Sequence, residues 1–357
     1  MTRNNLFLNF LIFCFYFLAA CGKINTNQIS DGYAVNEENQ IPVLHLYTDL
    51  PVENFKSIAD DFLDVHHIKL EVESSGAEQV IRKIELEKGN PNADLVILSN
   101  ADRLNRLAEA KLIQPITAQN AISAVPKYFS HPDNLWFGIS YSPRVIIYSR
   151  ERVDPRKIKY YTDLSKPLWQ GRLLMGSSED INNQELLGSM LLELDEEKVL
   201  AWAKGVSNNT LYGFMDDDQS RIENISRGKG DVAVVVARSI ASMQEIGSTV
   251  EKNILEAIAV LEPVVDERGA SVKITGIAKV AESKNTKQAE TFISYLFTSE
   301  ESEEFAAALF EIPVLKDAGI PEKMEEWAAI EIDTASQYQI ANKKQEIVAI
   351  MDKVGWK

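Results

Sequence analysis

The chain has 357 residues, 45% hydrophobic and 25% charged, the balance of an ordinary soluble globular protein with room for two domains or one large α/β unit. Its net charge of −16 argues against non-specific nucleic-acid binding, which needs a basic footprint. The same charge leaves room for an anion site, because a cleft can be locally positive inside an acidic protein.

Taken in chain order, the first feature is Arg3 followed by LFLNFLIFCFYFLAA, an apolar run ending in small residues. Residues 1–20 therefore read as a signal peptide. A membrane-spanning anchor is the alternative, opposed by the shortness of the run and by Asn9. Leu18-Ala19-Ala20-Cys21 resembles the lipobox of bacterial lipoproteins, which implies cleavage before Cys21 and lipid attachment to its sulfur. Cys14, the other of the two cysteines, would leave with the signal, so neither a disulfide nor a thiolate metal site is expected. Residues 21–40 are polar and aperiodic, as a flexible tether should be. The expected location is the periplasm or the outer face of the cytoplasmic membrane, with the chain held by its lipid.

From residue 41 strands and helices alternate. IPVLHLYT (41–48) reads as a strand, and Phe55, Ile58, Ala59 and Phe62 recur at helical spacing. IKLEVESS (68–75) alternates as a strand does, and AEQVIRKIELEKG (77–89) is an amphipathic helix stopped by Gly89-Asn90-Pro91. DLVILSN (94–100) is a buried strand, and the helix 101–113 follows, with Ser99 or Asn100 placed to cap it. This βαβαβα series argues for an open, largely parallel sheet. Further strands are expected at 136–142, 144–150, 171–178 and 231–237, with helices near 183–195, 196–205 and 218–228. NILEAIAVLEP and SVKITGIAKVA read as strand-bearing returns, and helices follow at 285–297 and 300–309. Two α/β series with returning strands suggest two lobes crossed more than once, and the cleft between lobes is the default ligand site.

Several long segments, in order, carry a resemblance. They include ADLVILSNADRLNRLAEAKLIQPI, LWFGISYSPRVIIYSRERVDP, YTDLSKPLWQGRLLMGSS with INNQELLGSM, RGKGDVAVV, ITGIAKVAESKNTKQAETFISYL and MDKVGWK. From about residue 43 to the end the chain resembles the periplasmic ferric-iron-binding proteins of ABC importers. The resemblance implies an α/β, two-lobed type II periplasmic solute-binding fold, with mixed, mostly parallel sheets and a hinge beside the ligand cleft. The expected lobes are 41–135 with 266–320, and 136–265 with 321–357. Expected partners are permease and ATPase subunits and the membrane through the N-terminal lipid, but no nucleic acid; the chain itself is expected to be a monomer.

That family holds Fe³⁺ with a cluster of tyrosines, often helped by a histidine; a hard trivalent cation favours ionised phenolate oxygens, and a nearby metal eases their ionisation. Here the adjacent tyrosine pair after DVAVV is matched by Arg238 and Ser239, a further tyrosine by Asn182, and the histidine–tyrosine pair near the first strand by Pro51 and Val52. None is a tyrosine or histidine, so no metal ligand is expected and Fe³⁺ enters only as transported cargo, not as a cofactor. An arginine cannot donate a lone pair to a metal, but it grips carboxylate, phosphate or phosphonate in bidentate fashion. The expected ligand is accordingly a small anion. A ferric chelate gripped through its own carboxylates is the alternative, and Arg238 could instead be paired with an acidic neighbour across the cleft.

Other candidates for the pocket are Ser177 and Ser178 before the helix near Asn182, where free N–H groups attract anions, although both also suit helix caps. Thr48 and Asp49 end the first strand, Asn100 ends the third, and Tyr141 and Arg144 lie in a segment that is Arg-rich in the family. Arg144 also suits a hinge or a partner carboxylate, and Tyr141 a half-buried strand position. Asp216-Asp217-Asp218 lacks the glycine and distal glutamate of a calcium loop and reads better as a helix start. No nucleophile elbow, P-loop or H-E-x-x-H is present, so no enzyme is expected. A non-transporting receptor that signals on closure would use the same lobes.

Overall fold

The structure is a computed structural model that describes residues 41–211, 217–262 and 268–356. The signal peptide, Cys21, the tether, Asp216 and the expected boundary at 265/266 lie outside the described residues.

Ten strands are described: β1 (Val43–Thr48), β2 (Lys69–Ser74), β3 (Leu95–Leu98), β4 (Ile113–Gln114), β5 (Trp136–Ser149), β6 (Leu173–Leu174), β7 (Val232–Val236), β8 (Ile258–Leu261), β9 (Val272–Val280) and β10 (Ile312–Pro313). The main path runs β2-β1-β3-β9-β5-β7-β6, with β4 on β9 and with β8 and β10 on β5. Parallel pairing joins β1 to β2 and β3, and β6 to β7, where helices carry the chain back across the sheet. The returning strands β5 and β9 pair antiparallel with their neighbours, so the sheet is mixed and less parallel than the βαβ pattern alone predicts.

Two expected strands, 136–142 and 144–150, form the single strand β5. Pro143 does not break it, because β5 continues in register with β9 as far as Pro143↔Val272, with a bulge at Gly138/Ser140. Before Pro143 the strand pairs with β9 and β10; beyond it, with β7 and β8. The expected lobe boundary at 136 is thus the first residue of a strand shared by both halves of the sheet.

The apolar side chains sort accordingly. One cluster draws on residues 44–139 and 272–318, including Phe55, Phe62, Trp136, Phe137 and Phe292. A second packs Trp169, Trp202, Met351 and Trp356 against Ile146 and Val234, and a third packs Trp327 and Met324 against Val145 and Val235. Alternate residues of β5 and β7 therefore feed opposite faces of one sheet half, as a strand's period of two requires. At Gly276 in β9 the faces meet so closely that an added Cβ would lie 2.7 Å from Leu104 Cδ1 and 2.9 Å from the Phe137 carbonyl oxygen.

Candidate ligand-binding site

The floor of the site is made where β7 passes directly into the helix Ala237–Glu245. Five buried apolar residues end at Val236, and Arg238 is the second residue of the helix rather than the end of the strand. Two side chains fix the main chain there. Asp218 Oδ2 accepts from Val236 N at 2.9 Å, and Ser142 Oγ accepts from Arg238 N at 2.9 Å.

A cavity of about 660 Å³ opens over this turn, a size suited to a small solute. Its lining includes Pro51, Asn54, Asn182, Arg238, Ser239 and Lys273, together with Ala308–Phe310 from the end of the helix Ser299–Leu309. Phe310 closes that helix in the left-handed region, φ 54°, and the next residue, Glu311, is fully buried. Glu311 Oε1 accepts from Arg238 Nη1 at 2.7 Å and from Thr275 Oγ1 at 3.1 Å; Oε2 accepts from Ser140 Oγ at 2.6 Å. Burial pushes the Glu311 carboxyl up, but Arg238 and Lys273 outweigh it and hold it below its ordinary value. Burial, and then the like charge of Arg238, depress the Lys273 ammonium to about 8.

The candidate residues fall into two groups. Arg238, Ser239 and Asn182 line the cavity. Arg238 keeps 28% of its side chain exposed although paired with Glu311, and Ser239 donates to Asp218 Oδ2 at 2.7 Å. The rest serve neighbouring polar networks. Arg144 is 1% exposed; it donates to Glu185, to Ser271 Oγ at 3.1 Å and to the Val272 carbonyl, and its Nη2 stands 3.5 Å from Asn182 Oδ1. Asn100 occupies the N-cap position of Ala101–Glu109, but its side chain makes no cap; it donates to Glu185 at 3.0 Å. Asp49 accepts from Ser99 and from Arg103 Nη1 at 2.6 Å, and Thr48 Oγ1 accepts from Leu50 N.

Ser177 and Ser178 do not line the cavity. The helix Ile181–Leu191 that they precede is capped by a carboxylate of the chain itself, Asp180, whose Oδ1 accepts from Asn182 N at 2.9 Å while Oδ2 faces Arg221 at 3.1 Å. Ser177 Oγ accepts from Glu179 N, and the Ser178 carbonyl accepts from Gln184. Tyr141 stacks on Phe129 with centroids 5.2 Å apart; burial, with Tyr128 nearby, pushes its phenol up to about 12, so ionisation there is harder.

The acids on the lining have local work. Asp217 caps the helix Asp218–Ser226, and Glu251 completes the capping box of Thr249–Glu256 by accepting from Ser248 N, while Asp218 also faces Arg221. Among the described residues no group of three His, Cys, Asp or Glu is placed to hold a metal ion. Sequence reasoning missed Lys273 and Glu311 as parts of this site. The available signal was a lysine in SVKITGIAKVA, an otherwise buried strand.

Comparison with known proteins agrees with the fold. The chain is 27% identical over 340 residues to iron uptake protein A1 of Synechocystis sp., covering 95% of this chain and 93% of that protein. It is 26% identical over 306 residues to the Fe(3+)-binding periplasmic protein of Serratia marcescens, covering 84% of this chain and 86% of that protein. It superposes with a TM-score of 0.84 on Trichodesmium FutA (IdiA) in complex with iron and citrate, at 26% identity, covering 88% of this chain and all of that one. These relatives are named for uptake and binding, not for catalysis, and the structural match bears out the two-lobed solute-binding fold. The profile of the bacterial extracellular solute-binding proteins matches residues 90–333, more than half of the chain, and the protein belongs to that family.

Proposed function

We propose that this protein is the solute-capturing component of an ABC importer of the ferric-uptake type, and that its ligand is a small carboxylate-, phosphate- or phosphonate-bearing anion rather than naked Fe³⁺. One observation carries the reading. Four positions at which the resemblance expects metal donors or their neighbours, Pro51, Asn182, Arg238 and Ser239, line one cavity, and none offers a phenolate or imidazole. In their place stands a guanidinium, which accepts no metal and binds oxyanions well. Capture is a binding event in which contacts from both lobes favour the closed arrangement, and no bond is made or broken. The lobes are taken as 41–135 with 266–320, and 136–265 with 321–357, joined through β5 and β9. The lipobox-like Leu18–Cys21 supports a lipid anchor at Cys21 on the outer face of the membrane, tested by loss of radiolabelled palmitate from Cys21→Ser in cells.

A ferric chelate is the second reading, favoured by the iron and citrate in the Trichodesmium structure. Thermal unfolding of the mature protein, made without Cys21, separates the two. A ligand at about 100 times its Kd stabilises by about 2.7 kcal/mol. The anion reading expects stabilisation by citrate, phosphate or a phosphonate without metal, lost in Arg238→Met/Glu311→Gln, which removes the guanidinium without stranding its carboxylate. Stabilisation by ferric citrate but by no metal-free anion refutes it in favour of the chelate.

A further inference from the structure

One cation at the cavity floor lacks a partner of its own among the described residues. The lining acids Asp217, Asp218 and Glu251 are engaged at helix N-termini and by Arg221, and three cations beside or beneath the cavity are each paired with a carboxylate. Arg103 pairs with Asp49 at 2.6 Å, Arg144 with Glu185, and Arg238 with Glu311 at 2.7 Å. Lys273 is the cation left over. Its β9 position pairs with Ser142, the residue whose hydroxyl holds Arg238 N, so the ammonium and the guanidinium belong to one cluster. The residue is only 7% exposed and lines the cavity, yet its ammonium donates no hydrogen bond and forms no ion pair with any described residue. Glu311 attracts the ammonium through space but forms no hydrogen bond or ion pair with it; its oxygens accept from Arg238, Thr275 and Ser140.

A buried ammonium without a partner costs free energy that a methionine or leucine would avoid. Here the missing partner has an obvious place, the cavity that the ammonium faces. We propose that Lys273 is a ligand-contacting specificity residue, which with Arg238 forms a two-cation floor selecting a compact anion of two or more negative charges over a monoanion. A dicarboxylate and a phosphate-type dianion share this chemistry. The inference rests on the anion reading of the cavity and deepens it.

A second consequence concerns pH. The groups facing Lys273 are Arg238 from the helix Ala237–Glu245, Glu311 from the turn after Ser299–Leu309, Asp49 after β1, and Glu185 from Ile181–Leu191. With the free ammonium depressed to about 8, a bound dianion favours its charged form and raises it. Affinity for a dianion is therefore full below pH 8 and falls as pH rises above it, toward the raised value in the complex.

The test is calorimetric titration of the mature protein with malonate, methylphosphonate, inorganic phosphate and acetate between pH 6.5 and 9.5. Wild type should prefer at least one dianion to acetate, with affinity falling above about pH 8. Lys273→Met should cut the dianion-to-acetate ratio by about tenfold to a hundredfold and flatten that profile. Lys273→Arg should keep the ratio and lose the pH dependence, and guards against a folding defect in the Met variant. Retention of the wild-type ratio by Lys273→Met, or equal wild-type affinity for acetate and the dianions, overturns the role of Lys273 and leaves the anion reading standing. Binding of none of the four probes overturns both.

Discussion

Replacing Glu311 by glutamine separates the two tasks assigned to its carboxylate. The carboxylate accepts three hydrogen bonds, from Arg238 Nη1 at 2.7 Å, Thr275 Oγ1 at 3.1 Å and Ser140 Oγ at 2.6 Å, and it is fully buried. Glutamine keeps the shape and one acceptor oxygen, but its amide nitrogen cannot accept, so at least one donor loses its partner. Breaking a buried ion pair by removing one partner costs about 3–5 kcal/mol. Because Arg238 is 28% exposed, water reaches the guanidinium, and the expected loss falls to about 2–3 kcal/mol. Equilibrium urea unfolding at pH 7 measures it.

The pH dependence has a defined sign. The Glu311 carboxyl is held below its ordinary 4.5, so its stabilisation is present above that value and lost as pH falls through the lowered one. The stability gap between wild type and Glu311→Gln should therefore narrow on acidification below 4.5. At neutral pH the variant should also bind anions more tightly, because one negative charge is removed from beside Arg238 and Lys273. Equal stability of the two proteins at pH 7 and an unchanged anion affinity would refute the assignment of Glu311 as the counter-charge of the floor.

Other substitutions probe the surroundings. Arg144→Met strands the buried Glu185 and should cost about 3–5 kcal/mol in urea unfolding, most of it recovered in Arg144→Met/Glu185→Leu. Trp356→Ala removes a side chain that is 1% exposed and packs on Trp202, and it leaves the Gly176 carbonyl without its indole donor. A loss of about 3–5 kcal/mol is expected, measured the same way. Gly276→Ala places a Cβ 2.7 Å from Leu104 Cδ1 and should lower stability by about 1–3 kcal/mol; a neutral result would show that β9 yields at that point.

Local patterns announced most of the fold. Alternation located β2, and β-rich or continuous apolar runs located β1, β3 and β7, while the 3.6-residue period located the helices Lys56–His66 and Ala77–Leu86. Pairing with β9 joins the expected strands 136–142 and 144–150 through Pro143, and NILEAIAVLEP, expected as a strand-bearing return, begins in the last turn of the helix Thr249–Glu256 before it reaches β8. Site residues were legible where the chain itself turned into the cavity, at Arg238, Ser239 and Asn182. Lys273 arrives from β9 and Glu311 from the turn after the helix Ser299–Leu309, both far along the chain, and no local pattern encodes that Ser140, Thr275 and Arg238 converge on one carboxylate. Ser177 and Ser178 looked available for an anion although the cap, Asp180, lies only two residues before Asn182, whose N–H its Oδ1 accepts.

The Arg238–Glu311 pair constrains the history of the protein as well as its chemistry. Main-chain position at the β7 exit is secured by Asp218 and Ser142, so the side chain at 238 can be exchanged without disturbing the ladder beneath it, whereas Ser239 shares Asp218 Oδ2 with Val236 N. Such a scaffold tolerates exchange at 238 cheaply, until one exchange recruits a buried partner. Once Glu311 answers Arg238, any single step that removes the arginine strands a carboxylate in the interior, and any single step that removes the carboxylate leaves two cations facing each other. The pair works as a ratchet: its two members can be exchanged together, but neither can be exchanged alone without stranding the other.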